Sequence, residues 1–458
     1  MTYDIAIIGA GPGGYISAIR AAQLGAKVAL IEKEALGGVC LNWGCIPTKT
    51  IITCANKYNE AKKFSKFGIN LENLSFDYGK ISNFKQSVVE KIRKSLTGLI
   101  KSYNIDIIIG EASLESKNKL KIINSKEYQD IEFKYLILAT GSRPVSLPVL
   151  PIDHEFIIDT NDVLSLNELP ESMMIIGSGA TGIEWTRILT SFGKKVILVE
   201  CAENLAPMFD NSLSEGIERI LKRQRIEYFK GTKVKNISNK KVILDNNKEF
   251  APDKILLGAG RTPNSDIKGL EELGVARTNK YIAVDENLKT NINNIYAIGD
   301  LTGLFPVAHV AMHHGVKAVE NILLNKPVKI NYNAVPSIIY GNPEICSVGY
   351  SEDMLIAKNI PYEKSIFPMS AVGRSILEDE TEGFVKVLAS KEKILGVHIL
   401  ASHGGNMIQQ AAIAINSNLS PDDIKETIFA HPASSEALYE AFLGIDGMPL
   451  HLPSRGMK

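Results

Sequence analysis

The sequence predicts an α/β protein of parallel, three-layer Rossmann-like units, and three observations predict it. Ile5-Ala-Ile-Ile8 is a short apolar run of the buried parallel-strand kind, followed at once by Gly9-Ala-Gly11-Pro-Gly13-Gly14 and an Ala/Ile-rich stretch to Gly25. Met173 to Ile176 repeats the design, with Gly177-Ser-Gly179-Ala-Thr-Gly182 and then a helical pattern over Ile183 to Phe192. The copies start 168 residues apart in a chain of 458, long enough for about three domains of roughly 150 residues.

Each copy reads as strand, glycine-rich turn and helix. The first glycine permits the tight turn, the second lets a pyrophosphate approach the backbone, and the third lets helix and strand pack closely. The helix amino terminus then offers free N–H groups and a favourable dipole to the phosphates. A second strand, Lys27 to Ile31, ends in Glu32, 23 residues after Gly9; Lys195 to Val199 ends in Glu200, 23 residues after Gly177. An acid at that place accepts hydrogen bonds from a ribose diol. One such fingerprint is a weak signal, but two with the same internal spacing imply two dinucleotide domains in one chain. Glu200 is followed by Cys201-Ala202-Glu203, with no Arg to meet a 2′-phosphate, which favours NAD over NADP at the second site.

Gly37-Gly38-Val-Cys40-Leu-Asn-Trp-Gly44-Cys45-Ile-Pro47-Thr-Lys49 carries the redox chemistry. Residues five apart on a regular helix have Cα atoms roughly 8–9 Å apart, too far for a disulfide, so the backbone must be distorted here if Cys40 and Cys45 are to bond, and Gly44 can supply the distortion. Pro47 suits the first turn of a helix running through Cys54, which places Cys45 near a helix amino terminus, where the dipole and Lys49 stabilise a thiolate. Two buried free cysteines or a pair of metal ligands are the alternatives. No companion Cys/His pair is spaced to complete a zinc site, and no metal is expected. The first fingerprint sits beside this pair and suits a bound redox cofactor, whereas the second suits a nucleotide that exchanges. Late in the chain, His431-Pro-Ala-Ser-Ser-Glu436 is either a turn or a histidine whose tautomer and basicity a carboxylate fixes. His313, His314, His398 and His403 lack comparable partners and read as structural.

Composition narrows the class. Lys plus Arg at 51 balance Asp plus Glu at 51, so no net field favours nucleic acid. No apolar stretch approaches the roughly 20 residues that cross a bilayer, and the first residues read as a strand rather than a signal peptide. Five cysteines in so long a chain are no disulfide scaffold and fit a reducing compartment, hence a cytoplasmic protein.

The sequence resembles the pyridine nucleotide–disulfide oxidoreductase family, and within it the branch that oxidises dihydrolipoyl groups. The matches run in order along the chain: Gly9 to Gly14, the cysteine segment, Ala139-Thr-Gly141, Gly177 to Glu184, Gly258-Ala-Gly260-Arg261-Thr-Pro263-Asn264, Tyr296-Ala-Ile-Gly299-Asp300, and His431-Pro432 with Glu436. The resemblance implies tightly bound FAD in the first site, with Glu32 on its ribose, Gly110 to Ala112 near the adenine and Asp300 on the ribityl or phosphate region. NAD+/NADH would occupy the second. Further cofactor contacts implied are Lys49, Thr140, Gly141, Ala308, His309, Val234, Gly260 and Arg261. Lys49 and Glu184 would pair near the flavin ring; by themselves they read as a surface ion pair, and Gly299-Asp300 as a type I turn.

The implied architecture is an FAD-binding domain over 1–145, an NAD-binding domain over 146–263, a central domain over 264–333 returning to the FAD domain, and an α+β dimerisation domain over 334–458. His431 would deprotonate the substrate thiol, in the family's arrangement across a homodimer. Ala433 stands where Thr is usual and Ser434 where an apolar residue is usual. The partners implied are lipoyl domains and the acyltransferase core of a 2-oxo acid dehydrogenase complex, or the glycine cleavage system, with the chain alternatively chiefly a docking subunit. A glutathione-type disulfide reductase would require NADPH, which the missing Arg opposes. A mercuric reductase would show further cysteines after Cys346, and a flavin transhydrogenase would lack Cys40.

Overall fold

The computed structural model describes residues 2–124 and 127–453. Met1 and 454–458, the outer ends of the ranges 1–145 and 334–458, lie outside the described residues, as do 125–126.

The chain builds three main sheets. The first has the order Asp106–Ile109, Val28–Glu32, Thr2–Ile8, Tyr128–Leu138, Lys119–Ile123, Glu111–Ser116. Its centre is parallel, because Ile5, Ala6 and Ile7 are wholly buried on both faces and need helices on one side and further chain on the other. Tyr128–Leu138 is long enough to do two jobs: residues 128–132 pair antiparallel with Lys119–Ile123, and residues 132–138 run parallel to Thr2–Ile8. Ile295–Ala297 then joins the same strand, parallel at Leu136 to Leu138. The helix Ala308–Leu324 follows and packs on Pro12–Gln23, so residues from late in the chain close over the first glycine turn.

The second sheet is wholly parallel, in the order Glu227–Phe229, Lys195–Val199, Ser172–Ile176, Lys254–Leu257, Ile157–Ile158. The sequence reading starts the helix after Gly182 at Ile183; it starts at Ala180 and ends at Ser191, because Gly179 serves as the N-cap and the last glycine of the fingerprint is already helical. The third sheet is antiparallel, ordered Ser337–Ile339, Glu344–Gly349, Ile394–Ala401, Phe384–Ala389, Glu363–Pro368, with the helices Gly404–Asn416 and Glu436–Leu443 against it. Two Rossmann-like sheets and an α+β carboxyl-terminal unit make up the fold.

A buried ionic cluster joins the second sheet's domain to the third. Asp210 caps the helix Asn211–Arg223 through Ser212 N–H at 3.0 Å and accepts from Lys386 Nζ at 2.8 Å, while Lys386 also meets Glu352 at 2.6 Å. Asp210 and Lys386 are both out of contact with water, so the charges hold only as a set. No helix among the described residues is long and apolar enough to cross a membrane.

Candidate active site

The two glycine turns are built alike. Gly9 at φ +99° and Gly177 at φ +97° leave their strands in the left-handed region, where a side chain would collide with Ala139 O in one copy and, at 2.7 Å, with Gly258 O in the other. Any Cβ on Gly14 or Gly182 would strike the carbonyl of that first glycine, so helix and strand touch. The helices Pro12–Gln23 and Ala180–Ser191 have no side-chain N-cap bond and no acid in the first turn, which leaves their leading N–H groups free for an anion.

The two acids close each turn in the same manner. Glu32 accepts from Ala10 N–H at 2.8 Å and Glu34 N–H at 2.9 Å; Glu200 accepts from Ser178 N–H at 2.7 Å and Ala202 N–H at 2.8 Å. Burial works against the Glu200 charge, but the bonds from Ala202, from Ser178 N–H and from Ser178 Oγ outweigh it and hold the carboxyl below its usual range.

Between the turns lies the thiol segment. The helix Gly38–Trp43 ends at Gly44, whose φ −144° and ψ −106° break the path, and a new helix, Cys45–Ala61, begins at once. Cys45 is thus the first residue of a 17-residue helix and Cys40 reaches back to it. Both are free thiols, with Cys40 donating to Cys45. That bond, with Lys49 behind it, overcomes burial and lowers Cys45 to about 7. The same bond and burial push Cys40 up. Within the pair Cys45 is the thiolate and Cys40 the thiol.

Lys49 Nζ lies 2.9 Å from Glu184, which is only 3 % exposed, and 4.9 Å from the centre of the Tyr340 ring. Tyr340 N–H also donates to Glu184 at 3.1 Å. On the other side, Arg261 donates to Ser142 Oγ at 2.7 Å, and Ser142 Oγ donates to Asp300 at 2.6 Å, which ties the carboxylate to the strand Ser142–Pro144. Thr140 and Asn264 exchange two bonds, at 2.8 and 2.9 Å, tying the Ala139-Thr-Gly141 turn to the end of the strand Arg261–Pro263. His309, one residue into its helix, meets Pro336 O at 3.0 Å, and burial lowers its pKa.

A single cleft of about 2300 Å³ connects both turns with the thiols. Cys40, Cys45, Lys49 and Glu184 line it, as do Gly9, Gly11, Glu32, Gly110, Ala112, Thr140, Gly141, Asp300, Ala308, His309, Gly177, Gly179, Glu200, Val234, Gly260 and Arg261. Gly14 and Gly182 stand behind their turns as packing positions. Residues 3–315 match the family described as pyridine nucleotide-disulphide oxidoreductase, and residues 335–442 match its dimerisation domain. The chain belongs to this family.

The oxidoreductase is 37% identical over 456 residues to a dihydrolipoyl dehydrogenase of Geobacillus stearothermophilus, covering 97% of each chain. It is 35% identical over 460 residues to one from Bacillus subtilis strain 168, covering 98% of this chain and 97% of the other. Among solved structures, it superposes on the HOCl-induced flavoprotein disulfide reductase RclA of Escherichia coli with a TM-score of 0.85, at 26% identity and over 96% of this chain and 99% of that one. LpdA of Mycobacterium tuberculosis shares the fold, with a TM-score of 0.89 at 24% identity, over 96% and 99% of the two chains.

Two expected residues of this oxidoreductase stand apart from the cleft. His431 Nδ1 lies 2.8 Å from Glu436 Oε1, and Ala433 N–H donates to Glu436 Oε2 at 2.9 Å, so the histidine is oriented, yet its side chain is 78 % exposed and does not line the cleft of its own chain. Burial opposes the Glu436 charge, but the bonds from His431 and Ala433 prevail and hold it low. Sequence reasoning missed Ser142, which links Arg261 to Asp300, and Tyr340, which covers Lys49. Neither belongs to a recognisable motif.

Proposed function

We propose that the protein oxidises dihydrolipoyl groups to the lipoyl disulfide, with FAD in the first turn and NAD+ in the second. The observation that carries this reading is the single cleft in which a helix-start thiolate, its hydrogen-bonded partner thiol and the Lys49–Glu184 pair stand between two glycine cradles. The cradles fit dinucleotides on their own terms: both helix starts lack a side-chain cap, and a side chain on Gly11 would meet only Gly38 Cα at 3.9 Å and one on Gly179 nothing within 4 Å.

In the oxidised protein Cys40 and Cys45 form a disulfide. A substrate thiol gives its proton to His431 of the partner subunit and attacks Cys40 Sγ; the Cys40–Cys45 bond breaks and Cys45 leaves as the thiolate. The second substrate thiol attacks its own mixed disulfide, and Cys40 departs with that thiol's proton. Two electrons now reside on the cysteine pair, and the substrate is a disulfide. FAD, when bound, supplies the relay that takes those two electrons from the pair and delivers them as hydride to NAD+. Lys49 and the helix start stabilise the Cys45 charge throughout, and Glu184 holds Lys49 in place.

The ionised Glu200 opposes a 2′-phosphate and accepts from a 2′-hydroxyl, which favours NAD+ over NADP+. Lipoyl domains of a 2-oxo acid dehydrogenase complex, or of a glycine cleavage system, and the acyltransferase core are the fitting partners. A homodimer in the reducing cytoplasm fits the exposed His431 dyad and the free thiols of Cys54, Cys201 and Cys346. The deciding experiment is turnover with free dihydrolipoamide and NAD+ against glutathione disulfide and NADPH. Brisk reaction with the first pair alone is expected; preference for the second would overturn the reading.

A further inference from the structure

A second histidine–carboxylate pair stands beside the first. The helix Glu436–Leu443 carries Glu436 and Glu440 four residues apart, a spacing that sets their Cβ atoms about 5–6 Å apart on one face. Glu440 Oε1 holds His451 Nδ1 at 2.7 Å, and Glu440 Oε2 accepts from Leu450 N–H at 2.8 Å. Glu440 is nearly buried while the His451 side chain is 69 % exposed; in the His431–Glu436 pair the histidine is likewise exposed and the carboxylate half-buried. Two carboxylates one turn apart repel, and each is hydrogen-bonded to an imidazole.

We infer that His451 is a positioning residue for the thiol proton transfer, acting on His431 through Glu436. The inference rests on the reading of His431 as the base. When His451 carries a proton, the Glu436 charge is partly met from that side; when His451 is neutral, Glu436 is left to His431 and Ala433 N–H. Glu436 is drawn to both histidines, its bond to His431 acting more strongly than the charge of His451. Among elements packed on this helix, Lys364 and Lys386 are engaged with Glu352, and Lys425 with Asp422 and Asp446; Glu363 is exposed to solvent and Asp423 caps Ser420. The groups acting on His451 are therefore Glu440, by its bond and then its charge, and Glu436 behind it, and together they raise its pKa.

The test uses the full-length protein with ¹³C-labelled histidine, together with steady-state kinetics. Glu440→Gln should return the His451 titration toward that of an ordinary histidine, and Glu436→Gln should move it the same way by less. His451→Gln removes a cation near the base, so the acid limb of kcat/KM for dihydrolipoamide should move to higher pH by roughly 0.2–0.4 unit. NADH oxidation by an artificial acceptor, which does not use His431, should stay unchanged and so exclude misfolding. An acid limb that stays in place in His451→Gln, or a His451 titration indifferent to Glu436→Gln, overturns the inference. If the unmodified protein fails to turn over dihydrolipoamide, the functional reading falls instead, and the His451 titration alone decides the electrostatic link.

Discussion

The two glycine turns share their spacing, their left-handed first glycine and their acid, and differ in what lies over the helix that follows. In the first copy Gly13 and Ser17 face the helix Ala308–Leu324, which approaches so closely that a Cβ on Gly315 would come within 2.6 Å of both Gly13 O and Ser17 Oγ. In the second copy the corresponding positions hold Thr181 and Trp185, and Trp185, 1 % exposed, packs into a cluster with Ile51, Ile52 and Ala55 of the thiol helix. Cys201 and Met208 stand exposed beside that second turn. One cradle is walled in and the other keeps an open lip. The phosphate-binding geometry is the same in both, and the packing over the following helix is where the two copies differ.

The widest separation of the two sides comes from mixed dimers. A heterodimer of one Cys45→Ser chain and one His431→Gln chain should regain one site and about half of wild-type dithiol turnover, since loss of a general base alone typically costs about 10²–10⁴ in rate. Each parent homodimer should stay nearly inactive with dihydrolipoamide while NADH oxidation by an artificial acceptor persists in His431→Gln. Mixed dimers no better than the mean of the parents would place His431 in its own subunit's chemistry or outside the chemistry altogether.

The wall itself is broken by Gly315→Val. Overpacking at such a contact costs about 1–3 kcal/mol or more, so the variant should lose flavin on gel filtration, read as the ratio of 450 to 280 nm absorbance. Thr181→Gly, at the open copy, should leave flavin content alone. Full flavin in Gly315→Val would show that the covering helix is not what retains it.

At the open lip the expected effect is smaller. Hydrogen bonds to charged groups contribute about 1.5–3 kcal/mol, so Glu200→Ala with Cys201→Arg should narrow the preference for NADH over NADPH by about tenfold or more in kcat/KM. Equal kcat/KM for the two cofactors in the unmodified enzyme would remove the role assigned to Glu200.

The smallest effect sharpens the region between the cradles. Because Cys45 is lowered to about 7, the reduced protein should react with iodoacetamide through its thiolate down to about pH 7 and lose about tenfold in rate for each unit below. Cys40→Ala removes the bond that contributes most to the shift, so the midpoint should rise. A midpoint unchanged by Cys40→Ala would assign the shift to Lys49 and the helix start.

What the sequence makes legible is local. A glycine turn, the acid 23 residues on and the Cys40–Cys45 segment each encode their own geometry within one strand–helix unit, and so they read directly. Ser142 and Asp300 are 158 residues apart, and the wall over Gly13 comes from residues 308–324; such contacts depend on which helix the fold returns to the sheet, which no local pattern states. The sequence pattern puts the helix start at Ile183, three residues late, because Ala180, Thr181 and Gly182 read as turn while Gly179 is the N-cap. His451 and Glu440 are only 11 residues apart, yet an exposed histidine near a chain end has no sequence signature until its carboxylate is seen to be buried.

The buried Asp210–Lys386–Glu352 cluster bears on modularity. The second nucleotide-binding sheet has the outline of a portable cassette, but its capping aspartate finds its counter-charge on a strand of the carboxyl-terminal unit, 176 residues later. A chimera that joins this cassette to a foreign carboxyl-terminal domain without lysine at that strand position would bury an uncompensated carboxylate, and breaking a buried pair in that way typically costs about 3–5 kcal/mol. The two units are therefore coupled through that charge, and a recombinant within this chain should keep both halves of it.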